Sequence, residues 1–161
     1  MQKPIILFDL NGTLCYRNKS FRKTYTRPFI KKLKELKELY TLGIYTSMME
    51  YNALKIIKQI EEECKAELFD RNYIFTRDAT IEFTEEELNR YNIPYWKTKK
   101  SINHVIKDPN QIAIIVDDEE VKIVEKDLAI IIPSYYEVNY KDRELYKLVN
   151  SLMRGKTPMF V

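Results

Sequence analysis

Two apolar runs in this sequence stop at carboxylates. Ile5-Ile6-Leu7-Phe8 is followed by Asp9, and Gln111-Ile112-Ala113-Ile114-Ile115-Val116 is followed by Asp117-Asp118. An ionised carboxylate at the edge of an apolar run is costly unless something offsets it. A single Asp after a strand commonly serves only as a turn or helix N-cap residue. Two such ends on parallel strands are different, because they lie on the same edge of an open α/β sheet, where ligands bind. Carboxylates gathered there repel one another unless a divalent cation joins them, and hard oxygen donors suit magnesium. Asp9, Asp117 and Asp118 are therefore the candidate centre of a shared Mg2+ site. Asn11, an amide, stands two residues after Asp9, and Gly12 next to it permits the tight path that carries the chain out of the sheet.

The elements that must position these groups follow from periodicity. Four consecutive apolar residues at 5–8 read as a strand buried on both faces. Residues 15–27 are polar and aromatic without an apolar period and read as a loop, in which Phe21, Tyr25 and Arg27 would shape one wall of a site. Pro28 suits a first helical turn, and Phe29, Ile30, Leu33, Leu36 and Leu39 or Tyr40 recur at helical spacing up to Gly43. A short strand over 42–46 ends at Thr46-Ser47, and a helix over about 49–65 carries Tyr51, Leu54, Ile56 or Ile57, Ile60 and Cys64. A third strand is expected over 72–75. Thr84 and Glu87 fit a capping box that opens a short helix, stopped by Asn92-Ile93-Pro94. A helical turn after Ser101, the strand into Asp117, a strand over 129–132 stopped by Pro133, and a closing helix over 143–149 complete the pattern, with a tail at 157–161 that packs or frays. Strands alternating with helices predict an α/β fold: a doubly wound, mainly parallel, Rossmann-like sheet with helices on both faces and no large cap, in one domain spanning 1–161.

Composition narrows the class. The 161 residues are 45% hydrophobic and 32% charged, as expected of a globular domain rather than a disordered chain. A net charge of +3 does not by itself call for nucleic acid or a membrane surface. No apolar run approaches the roughly 20 residues of a membrane span. Met-Gln-Lys-Pro leads straight into the first strand, which leaves no room for a signal peptide, so a cytoplasmic or nuclear rather than secreted protein is expected. Cys15 and Cys64 lack metal-ligand spacing and read as reduced thiols. His104, the only histidine, reads as a structural or surface residue.

Phe8-Asp9-Leu10-Asn11-Gly12-Thr13-Leu14 resembles the first motif of the haloacid-dehalogenase-like phosphatases, Asp-x-Asp-Gly-Thr, with Asn11 where the family has its second aspartate. Thr46, closing the second strand, matches the family's Ser/Thr motif, and the resemblance assigns its hydroxyl, with Ser47 beside it, to the phosphoryl group. Lys100 best matches the motif lysine, with Lys99 as rival and Lys97 behind it, and Asp117-Asp118 matches the acidic pair. Thr26-Arg27-Pro28-Phe29, Tyr45-Thr46-Ser47-Met48-Met49-Glu50-Tyr51 and Phe75-Thr76-Arg77-Asp78 resemble segments of the RNA polymerase II C-terminal-domain phosphatases, with Arg77 at a phosphate-side arginine. The span from Thr13 to Pro28 is too short for that branch's usual insertion, whereas 79–99 looks longer than the branch needs. Tyr91, Tyr95 and Trp96 there read either as core or as a replacement recognition surface.

The resemblance implies a Mg2+-dependent phosphoserine/threonine protein phosphatase, with the polymerase tail as one conceivable target. Asp9 would be the nucleophile that forms an aspartyl-phosphate, and Thr46, Ser47, Lys100 and Arg77 would hold phosphate. Mg2+ would be held by Asp9, the Asn11 main-chain carbonyl, Asp117 as direct ligand, and Asp118 as a further or supporting one. The family's second aspartate protonates the leaving alcohol and then activates water, which an amide cannot do. Three readings of Asn11 stand: an engineered Asp-to-Asn variant, a natural pseudophosphatase that binds phosphorylated protein, or rescue by Asp118, His104 or a water. A small-molecule phosphatase of the same fold is the remaining alternative. The expected partner is a phosphorylated protein or peptide, with no direct nucleic acid, no membrane, and a monomer or weak homodimer.

Overall fold

The computed structural model describes residues 2–20 and 22–155. Phe21 and the 157–161 tail lie outside the described residues. The chain runs β1 (Ile5–Phe8), β2 (Cys15–Asn18), β3 (Lys23–Thr26), α1 (Leu33–Leu36), β4 (Thr41–Tyr45), α2 (Glu50–Cys64) and β5 (Ile74–Phe75). It continues through β6 (Ile81–Glu82), α3 (Glu85–Arg90), β7 (Thr98–Lys99), α4 (Ile102–Val105), β8 (Ala113–Asp117), β9 (Ala129–Ile131) and α5 (Glu144–Met153). Five strands form one parallel sheet in the order β5-β4-β1-β8-β9. The chain builds outward from β1 to β4 and β5, then returns to the other side through β8 and β9. β1 is thus the switch point, beyond whose carboxyl end such sheets bind ligands.

Residue alternation along β1 decides which layer each side chain joins. Ile6 and Phe8 pack into the larger core with Leu33 and Leu36 of α1, Ile56, Ile57 and Ile60 of α2, and Leu145 and Val149 of α5. Ile5 and Leu7 face the opposite layer with Ile102 of α4, Ile115 and Ile123. Helices therefore cover both faces, as the alternating pattern predicts. No helix among the described residues is long and apolar enough to cross a membrane.

Several local expectations change. Residues 15–27 are not a loop. β2 and β3 pair antiparallel, Cys15 with Thr26 through Asn18 with Lys23, into a hairpin. Helix after Pro28 is limited to a 3-10 turn at Ile30–Lys32 and α1, and Phe29 takes a left-handed φ of 68°. The chain leaves the helix early because Thr41–Tyr45 is drawn into register with β1 and places Gly43 opposite Leu7, inside the sheet. The third strand shrinks to Ile74–Phe75, since Asp70 caps a 3-10 turn over Arg71–Tyr73. In α2 the buried stripe is Ala53, Ile56, Ile57, Ile60 and Cys64, with Tyr51 and Leu54 exposed. The Thr84–Glu87 capping box forms as expected.

Gly43 is needed for space. A methyl group there would collide with the Tyr73 carbonyl oxygen and press on Leu7 Cδ2 at 2.9 Å. Gly43→Ala is expected to destabilise the fold by about 1–3 kcal/mol through overpacking. Urea denaturation checks this, and an unchanged midpoint would contradict the packing described.

Candidate active site

Asp9 leaves the end of β1 into the reverse turn of Leu10–Leu14. Gly12 carries a φ of +93°, and a Cβ there would stand 2.7 Å from both Asp118 Oδ2 and the Tyr136 hydroxyl, so both conformation and space require glycine. The turn is held from outside by Arg27, which is buried to 1% exposure. Its guanidinium donates to the Thr13 carbonyl at 3.1 Å, to the Pro133 carbonyl at 2.8 Å and to both Asp142 oxygens at 2.8 and 2.9 Å. Arg27 is thus a clamp behind the site, not one of its walls. Tyr25 stacks on Tyr16 in the hairpin, with centroids 6.3 Å apart.

The adjacent strands β1 and β8 bring Asp9 and Asp117 together around Lys100, which has no exposed surface. Lys100 Nζ donates to Asp9 Oδ1 at 2.9 Å and to Asp117 Oδ2 at 2.5 Å. Lys99 instead pairs with Glu87 at 2.8 Å and Lys97 with Glu119 at 2.9 Å, so of the three lysines only Lys100 reaches Asp9. Burial opposes the Lys100 charge, but the two carboxylates outweigh it and raise its pKa. Asp9 is pushed up to about 7, chiefly by burial and then by the Asp117 charge, with Lys100 and Lys122 pulling the other way. Burial also opposes ionisation of Asp117, yet Lys100 and the Glu119 N–H hold its pKa below the usual value.

Asp9, Asp117 and Asp118 each offer an oxygen, all within 4.8 Å of one another. The donor set is three carboxylates gathered at one place, so the residues fit a hard divalent cation. Their partners distinguish the two members of the acidic pair. Asp117 Oδ1 accepts the N–H groups of Asp118 and Glu119 at 2.7 and 3.0 Å, and Oδ2 accepts Lys100. Asp118 meets hydroxyls: Thr13 Oγ1 at 3.3 Å, Ser134 Oγ at 2.8 Å, and the Tyr136 phenol, whose pKa burial and Asp118 raise far above normal. Thr13 Oγ1 also lies 3.1 Å from Asp9 Oδ2, and its single proton serves one of the two carboxylates.

Above this cluster is a cleft of about 440 Å³ lined by Asp9, Asn11, Arg17, Thr46, Ser47 and Lys122, with Lys19, Trp96 and Lys97 among its outer walls. Thr46 is buried, and its hydroxyl accepts the Met48 N–H at 3.1 Å. Asn11 Oδ1 accepts the Arg17 N–H at 3.0 Å, which fastens the hairpin to the β1 turn. Arg77 is not brought to the cleft. Its guanidinium donates to the Trp96 carbonyl at 2.7 Å and supports the outer wall from behind. Tyr91, Tyr95 and Trp96 are exposed rather than core, and His104 is exposed on α4.

Sequence reasoning missed Lys122. It is 8% exposed, lines the cleft, and donates one long bond of 3.3 Å to Ser47 Oγ. An ammonium has three donors. Lys100 commits two to carboxylates below the cleft, whereas Lys122 keeps two in reserve. The signal was a lysine set among Val121, Ile123 and Val124, where a solvated side chain has no reason to stand.

A five-stranded parallel sheet with carboxylates at the ends of adjacent strands, bridged by a buried lysine, places the molecule in the haloacid-dehalogenase-like class of α/β proteins. Within it, the chain belongs to the NLI interacting factor-like phosphatase family, whose model matches residues 4–157. The fission yeast RNA polymerase II CTD phosphatase Fcp1-R271A, solved bound to beryllium fluoride, is similar with a TM-score of 0.56 and 14% identity, over 95% of this chain and 51% of that one. A second structure, of Fcp1 as an essential RNA polymerase II CTD phosphatase, gives a TM-score of 0.57 and 16% identity over 98% and 50%. At such identities the likeness is one of fold, and the chain spans about half the length of these structures. No curated protein matches it in sequence.

Proposed function

We propose that the cleft receives a phosphorylated serine or threonine of a protein and transfers its phosphoryl group to Asp9, with release slowed by Asn11. The observation that carries this reading is Lys100 held between Asp9 and Asp117 beneath an open cleft. An Asp9 oxygen would attack phosphorus while the bond to the substrate oxygen breaks, giving an aspartyl-phosphate that water then cleaves. Lys100 fixes Asp9 Oδ1 and keeps its orientation. The Thr46 and Ser47 side chains and the spare Lys122 donors would cradle the phosphoryl oxygens. Asp9, Asp118 and the Asn11 main-chain carbonyl would hold Mg2+, which supplies charge to offset the phosphoryl group and favours ionised Asp9. Asp117 positions Lys100 and would offer the ion a further oxygen. Asn11 keeps the turn and the Arg17 contact but has no proton to give at neutral pH. The cleft lies open between the hairpin and Trp96-Lys97, which suits a macromolecular substrate.

The test is Mg2+ titration by calorimetry. Asp118→Asn is expected to weaken Mg2+ affinity by about 10–100-fold. Asp117→Asn should act chiefly through stability. Equal Mg2+ affinity in Asp118→Asn and the unaltered chain would contradict the assignment.

A further inference from the structure

The cleft is larger than one phosphoryl group requires, and its charge is one-sided. On the far wall Lys97 is neutralised by Glu119 at 2.9 Å. On the hairpin wall Arg17 and Lys19 line the cleft, and among the described residues neither side chain has a hydrogen bond or ion pair. Arg17 is half-buried, and its guanidinium has no side-chain partner among the described residues. Arg17 stands in β2 and Lys19 in the turn that follows it, and the cleft lining brings the two together. They belong to a wider bias: Arg17, Lys19, Arg22 and Lys23 stand in Cys15–Thr26, a stretch that contains no Asp or Glu. In a chain of net charge +3 this is a local concentration.

The arm that carries them is anchored. Thr26 Oγ1 lies 2.8 Å from the Glu63 carboxylate, and Gln59 Nε2 donates to the Thr24 carbonyl at 2.9 Å, so β3 is docked on α2. The Arg17 N–H is held by Asn11. Arg17 is thus presented from an anchored strand on the cleft that Asp9 lines, with Lys19 beside it on the same lining. A planar guanidinium takes phosphate or carboxylate through two parallel bonds, and fixing it in advance reduces the ordering cost of binding.

We propose that Arg17 and Lys19 form a second anion subsite, so that the substrate is a phosphopeptide carrying a second phosphorylated or acidic residue beside the phosphate that meets Asp9. This rests on the phosphoprotein reading above. A peptide fits better than single-stranded nucleic acid, whose binding uses free aromatic faces beside the cations. Among the described residues of the hairpin, Tyr16 and Tyr25 stack on each other and Lys23 stands over Tyr25 at 5.0 Å, so neither ring is free on both faces.

The experiment measures binding of the chain, with Mg2+, to a singly phosphorylated serine peptide and to peptides with a second phosphoserine two to four residues to either side. A 5′-phosphorylated oligonucleotide is the third probe. At least one doubly phosphorylated peptide should bind about tenfold or more tightly than the single one. In Arg17→Gln/Lys19→Gln, confirmed as folded by its thermal transition, that ratio should fall towards one. Equal binding of all the peptides by the unaltered chain, or a ratio kept by the double variant, overturns the second subsite alone. Binding of no peptide overturns it together with the phosphoprotein reading. Tighter binding of the oligonucleotide, lost in the same variant, overturns the peptide assignment.

Discussion

Replacing Asn11 with Asp is expected to raise Mg2+-dependent hydrolysis of a phosphoserine peptide by about 10²–10⁴-fold, the usual worth of general acid–base assistance. Position 11 lines the cleft, and its side-chain oxygen already accepts the Arg17 N–H at 3.0 Å. One carboxylate oxygen can keep that bond and hold the hairpin while the other exchanges protons with the leaving oxygen and with water. Among the described residues neither candidate substitute is free: His104 is exposed on α4, and Asp118 is engaged by Thr13, Ser134 and Tyr136. The gain should be largest for serine esters, whose alkoxide leaves poorly without a proton. It should be smaller for transfer from p-nitrophenyl phosphate, whose leaving group needs little help. Steady-state rates on the two substrates check this, and an unchanged rate on both would contradict the role given to position 11.

Lys100→Met is expected to cost about 3–5 kcal/mol of stability in Mg2+-free buffer, because it removes the cation from a buried charge cluster and leaves carboxylates facing each other. Asp9 and Asp117 lie within 2.9 and 2.5 Å of the ammonium, and all three side chains are nearly inaccessible. A Lys100→Met/Asp117→Asn double variant should recover part of the loss, since one of the uncompensated charges is gone. Mg2+ should recover part of it by the same reasoning. Urea denaturation measures these differences, and a loss below about 1 kcal/mol would mean that the lysine is not the centre of the cluster.

What the sequence made legible follows from which constraints are local. β1 and β8 are buried on both faces, so their apolar runs stop abruptly at Asp9 and Asp117, and the carboxylate cluster is legible from the sequence. Lys100 needed the resemblance, because in the sequence it is one of three lysines within four residues, and only tertiary pairing sends Lys97 and Lys99 to Glu119 and Glu87. Lys122 was hidden for the opposite reason: it sits in a short 3-10 turn, where no periodicity marks a face. The hairpin reads as a loop in the sequence because neither strand has a fully apolar side, although Thr24-Tyr25-Thr26 carries the β-branched and aromatic residues that favour strands. The helix after Pro28 is shorter than its periodicity implies because the period of Leu36, Leu39 and Tyr40 continues past the point where pairing with β1 takes over. The neighbours of Arg77 in sequence point it to the phosphate, whereas in the fold it donates to the Trp96 carbonyl.

The central claim is that Asp9 takes the phosphoryl group and that Asn11 delays its release. Incubating the chain with Mg2+ and p-nitrophenyl phosphate, quenching in acid and mapping the peptides by mass spectrometry tests it most directly. The prediction is a phosphoryl adduct on Asp9 that outlives the adduct formed by Asn11→Asp and is absent from Asp9→Asn. No adduct on Asp9 in either the unaltered chain or Asn11→Asp, or an adduct that Asp9→Asn retains, would contradict it.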